Sequence, residues 1–130
     1  MANRIIKFRV WDSISNSWIN KEGMTLSEIF EWGGSGEDSS VMYQLTFTQF
    51  TGLKDKNGKE IYEGDILKSE AGSIYMNKYT KLREWLSKVV FKEGKFTTEP
   101  ILPDTVSYDI HKDDEVIGNV FEDKELLNGI

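Results

Sequence analysis

Residues 4–11 alternate with a period of two, Ile6, Phe8 and Val10 on one side and Lys7, Arg9 and Trp11 on the other. That period is the mark of a strand. Residues 12–17, rich in Ser, Asn and Asp, predict a turn, so Trp18 and Ile19 begin a return strand. Residues 25–31 carry a short helical pattern, with Thr25 and Glu28 at capping-box spacing. The glycine- and serine-rich stretch 33–40 reads as a flexible loop. Residues 41–50 return to strand, Leu45 and Phe47 on one face and Thr46 and Thr48 on the other.

The strongest turn signal is Asn57-Gly58, because a tight hairpin demands the positive φ that Asn and Gly tolerate. Glu63-Gly64-Asp65 predicts a second turn, and Leu53, Ile61, Ile66 and Leu67 are the expected core around it. Two reversals this close suit a small barrel. In residues 79–89, Leu82, Trp85, Leu86 and Val89 have the spacing of one helix face. A strand arriving near Leu86 is the preferred reading, with a helical turn ahead of it as the competitor. Val89-Val90-Phe91 and Phe96 frame another hairpin. Residues 99–114 hold both prolines and much charge and predict a surface loop. A final strand is expected at 115–121, where Gly118 marks a bulge or a close backbone contact. Asp123 stands where it would cap a short terminal turn. The sum is a mostly β (β-rich α+β) chain: a small barrel-like antiparallel sheet with one or two short helical turns.

Composition narrows this further. A chain of 130 residues suits a single domain over 1–130 and buries roughly two-thirds of its unfolded surface. The absence of cysteine excludes disulfides, thiolate zinc sites and cysteine nucleophiles. No apolar run approaches the roughly 20 residues of a membrane span, and the first residues lead into a strand without an apolar leader. A cytoplasmic location is therefore the expectation. The net charge of −6 is concentrated: residues 99–125 carry −7, and residues 1–98 are close to neutral. Such a segment repels nucleic-acid phosphates.

Candidate chemistry changes the picture little. Asp55-Lys56-Asn57-Gly58 lacks the ligands of a calcium loop and is better read as a hairpin turn. Glu60, Glu63 and Asp65 are close in sequence, but acids beside tight turns usually cap backbone N–H groups. Pro103-Asp104 with Glu122-Asp123-Lys124 follows the order of a magnesium-dependent nuclease pattern built of common residues. His111, the single histidine, sits with Asp109, Asp113 and Asp114 in a solvated acidic stretch. Residues 54–96 interleave ten bases and seven acids with Tyr62, Tyr75, Tyr79, Trp85, Phe91 and Phe96. Aromatics among bases are what single-strand-binding barrels use. Trp11 and Trp18 are expected in packing, whereas Trp32, beside the glycines, is expected to be exposed and to serve as a protein-contact hot spot.

Four blocks resemble the YopX family of phage and prophage proteins: 4–12, the long central block 49–67, 90–96, and 115–127. The chain departs from the family pattern at Asp123-Lys124, where Asn-Pro is typical, and at Phe121, often Tyr. The resemblance implies a mostly β, barrel-like domain of phage or prophage origin and carries no catalytic residues. Residues 20–43 and 69–88 match no part of it. The resulting expectation is a non-enzymatic interaction module that binds a host or phage protein, with self-association open. The alternatives are a nucleic-acid-binding barrel and a metal-dependent hydrolase or nuclease. The candidate binding residues are Trp32, Tyr75, Tyr79 and Trp85. Asn57, Gly58, Gly64 and Asp65 are structural turn residues, and no catalytic residue, metal site or cofactor is expected.

Overall fold

The computed structural model describes residues 5–33, 44–101 and 107–128. The chain runs through β1 (Lys7–Asp12), β2 (Ser17–Thr25), α1 (Leu26–Gly33), β3 (Leu45–Lys54), β4 (Glu60–Tyr62), β5 (Asp65–Tyr75), β6 (Lys78–Lys92), β7 (Lys95–Pro100) and β8 (Glu115–Asn119). A short 3-10 turn, Lys124–Asn128, follows. Two antiparallel four-stranded sheets result, ordered β2-β1-β3-β4 and β7-β6-β5-β8, one of them curled into a half-barrel. The mostly β, barrel-like reading therefore holds. Val10, Ile61, Ile66, Leu67 and Val89 are fully buried, with Ile110 and Val116 packed against Ile61, Leu67 and Val89.

Local chemistry accounts for the junctions. The Asn57-Gly58 turn joins β3 to β4 with Gly58 at φ 82°, and Asp55 Oδ1 accepts the N–H of Asn57 at 2.8 Å and of Lys59 at 2.9 Å. Gly64 has a φ of 91°, and an added Cβ would press on the Phe121 ring at 3.0 Å. The Thr25–Glu28 capping box forms as expected, Glu28 N–H donating to Thr25 Oγ1 at 3.3 Å and Thr25 N–H to Glu28 Oε1 at 3.2 Å. Gly118 is a close-contact position, since a Cβ there would lie 2.6 Å from Asp123 Oδ2.

Several expectations need correction. Leu53 is exposed, not core: residues 51–53 oppose Ile61 alone, between the Phe50–Tyr62 and Lys54–Glu60 pairs, and this bulge turns Leu53 outward. Residues 79–89 are strand throughout, within β6. The pairs Ala71–Arg83 and Gly72–Lys81 skip Leu82, and that slip in phase gave the apolar residues their helix-like spacing. Glu99 and Pro100 belong to β7 rather than to a loop. β8 stops at Asn119, because Asn119 Oδ1 accepts the N–H groups of Phe121 and Glu122. Asp123 points its carboxylate back to Asn119 N–H at 3.0 Å, while its carbonyl receives Leu126 N–H. Gly33 ends α1, and the rest of the 33–40 loop and the expected strand start at 41–43 lie outside the described residues.

Candidate interaction surface

β5 and β6 are longer than the strands that flank them. β8 pairs with β5 only from Asp65 to Lys68, and β7 pairs with β6 only from Ser87 onward. Beyond those limits the two strands continue as a two-stranded arm, and every residue from 70 to 84 is exposed. Seven residues of β5 at about 3.3 Å each make the arm roughly 23 Å long. A free two-stranded ribbon is marginal in water, so local contacts matter. The Tyr79 ring lies over Gly72, where a Cβ would come within 2.6 Å of it, and Lys81 pairs with Glu84 at 2.9 Å. The tip, Met76-Asn77, has φ of 50° and 64°, a two-residue turn of the primed kind. Asn tolerates that region; Met at the same φ is strained.

The arm carries apolar side chains in water. Ile74 is 75%, Tyr75 76%, Met76 83% and Leu82 70% exposed, and Tyr79 is half exposed. At its base lies a cavity of about 410 Å³ lined by Ser69, Glu70, Trp85, Tyr108 and the acids Asp109, Asp113 and Asp114. Trp85 and Tyr108 pack at 5.2 Å, and Arg83 lies over Trp85 at 5.0 Å. Asp114 is buried and accepts from Ser69 Oγ at 2.7 Å and from His111 N–H at 2.9 Å. The side-chain hydrogen bond and charge of Lys95, with help from Thr97, hold the Asp109 carboxyl below the usual range. Of the predicted binding residues, Tyr75 and Tyr79 both lie near the tip but on opposite faces of the ribbon, Tyr75 paired with Lys78 and Tyr79 with Ile74, and Trp85 stands at the base. Trp32 lies on α1, and its side chain is outside the described residues.

A buried ion pair went unforeseen. Arg9 reaches Asp65 at 2.7 Å, both side chains almost fully enclosed, with the guanidinium between Trp18 at 4.5 Å and Tyr62 at 4.4 Å. Asp65 also accepts Tyr62 N–H at 2.8 Å. Burial pushes the Asp65 carboxyl up against the opposing pull of Arg9, and burial likewise raises Tyr62 to about 12. Asp65 is thus a tie between the sheets as well as a turn residue. Nearby, Glu122 is lowered to about 2 by hydrogen bonds from Asn119 and Trp18 and by Lys21.

Among the described residues these placements bring no catalytic set together. Among the described residues no three His, Cys, Asp or Glu side chains are grouped as a metal site requires. Glu122, one element of the nuclease-like pattern, is engaged by Trp18, Asn119 and Lys21, while Pro103 and Asp104 lie outside the described residues. Glu60 is tied to Lys7 at 2.7 Å. No helix among the described residues is long and apolar enough to cross a membrane.

Comparison with known proteins yields a family match over nearly the whole chain: the family model described as YopX protein matches residues 7–128. Protein EF1440 from Enterococcus faecalis, known from a crystal structure, is similar in fold, with a TM-score of 0.57 and 25% identity. The similarity covers 96% of this chain and 99% of that one. No curated protein matches the chain.

Proposed function

The chain belongs to the YopX family, and from that premise we propose that it is a phage or prophage accessory protein acting as a non-enzymatic interaction module. Its contact element is the arm formed by β5 and β6, and its partner is a host or phage protein. The observation that carries this reading is the concentration of exposed apolar side chains (Ile74, Tyr75, Met76 and Leu82) on a projecting ribbon. Surface apolar residues scattered singly need no explanation, but a group displayed together marks an interaction site. The same residues add nothing to the core, so the energetic cost of exposing them has no counterpart within the folded chain.

The test is affinity capture from nuclease-treated lysate with the wild type and with a Tyr75→Ser/Met76→Ser variant. The reading expects a protein partner retained by the wild type and lost with the variant, at equal thermal stability. Recovery of nucleic acid alone from untreated lysate, lost on nuclease treatment, would favour the nucleic-acid-binding alternative instead.

A further inference from the structure

We propose that the free edge of β5 in the arm pairs with the same edge of a second copy of this chain, making a four-stranded ribbon across a two-fold axis. This rests on the arm being the contact element and names the partner of one of its edges. The two edges of the arm differ in chemistry. The open part of β6 displays Lys78, Lys81, Arg83 and Glu84, the charges that guard an edge against pairing. The open part of β5 beyond the buried Ser69, residues 70–75, carries Glu70 as its single charge and has neither Lys nor Pro. Among the described residues no strand pairs with it beyond Lys68 on that side.

Register follows from the turn. Tyr75 and Lys78 flank the two-residue tip and face each other, the position at which a hairpin exchanges both hydrogen bonds. Ile74 and Gly72 therefore turn their N–H and C=O groups outward, and by alternation Glu70 does too. A two-fold axis at Gly72, the middle of the three outward-facing positions, sets Gly72 against Gly72, Ile74 against Glu70 and Tyr75 against Ser69 of the second copy. All outward groups then meet in antiparallel pairs, and a C2 contact of this kind is self-complementary.

Charge completes the fit. Lys78, across from Tyr75, arrives level with Ser69 of the second copy. Ser69 lines the acidic cavity that holds Glu70, Asp109, Asp113 and Asp114, so a basic tip meets an acidic base twice per dimer. Complementary potentials of this sort fix register.

Sedimentation equilibrium and light scattering on the full chain test the proposal. A dimer is expected. Ile74→Pro, which deletes one outward N–H, should dissociate it. Lys78→Glu should weaken it about tenfold, and pairing that change with Asp113→Lys should return affinity to within about threefold of wild type. If Ile74→Pro fails to fold, the charge-swap series decides. A wild type that is monomeric throughout overturns self-pairing, as does a dimer indifferent to Lys78→Glu or a double variant no tighter than Lys78→Glu alone. Capture of another protein through Tyr75 and Met76 stands or falls separately, in the lysate experiment.

Discussion

Arg9 illustrates why a side chain's role depends on residues far along the chain. Alternation in β1 assigned it to the face opposite Phe8 and Val10, and nothing local said that this face is also covered. Its partner Asp65 is 56 positions away, and the covering rings come from β2 and β4. Asp65 itself was legible as a turn residue, yet the tie it makes was not. Removing one member of a buried pair strands the other charge, so Asp65→Ala should cost about 3–5 kcal/mol in urea unfolding. Gly58 was readable from sequence because the turn chemistry is local. Its φ of 82° with open space around it makes the strain purely conformational, and Gly58→Val should lower stability by about 1–3 kcal/mol. Equal midpoints for wild type and Gly58→Val would contradict that.

At the level of elements, the hairpin turns, the capping box and the buried strands around Ile66 and Val89 followed from period and punctuation. The arm did not. A strand that leaves its sheet has exposed residues on both faces, so it loses the alternation by which strands are recognised, and the bulge at Leu82 displaced what pattern remained. The same facts set its dynamics. Within β5 and β6 of the monomer, at dilution below any self-association, amide exchange should be slow at Ile66, Leu67 and Val89 and faster by orders of magnitude across 71–82, because the arm has little buried area to hold it closed. Uniform protection along both strands of that monomer would show that the arm is stabilised by a contact within the chain.

Across the described residues the molecule is a core of two sheets from which the β5–β6 arm projects. Its acid response reports on the carboxylates that tie the strands together. Asp55 feels a burial penalty that raises its carboxyl, but N–H groups of Val116, Lys59 and Asn57 outweigh it and the net is a lowered value. Glu122 falls from 4.5 to about 2. A carboxyl lowered in the folded state contributes stability that is present above its unfolded value and lost as pH falls through the folded one. The stability difference between wild type and Glu122→Gln should therefore close between pH 4.5 and about 2, as followed by thermal melts. A difference unchanged over that range would remove Glu122 from the network that holds β8 to β2.

The central claim is that contacts are made by the arm rather than by the body. A photo-crosslinking amino acid in place of Tyr75 or Met76 tests it inside cells, with the same group at Ile14, which is as exposed as Tyr75, and at the half-exposed Leu53 as controls. Protein cross-links from positions 75 and 76, absent from 53 and 14, are the predicted result. Cross-links from 53 or 14 with none from the tip would contradict it.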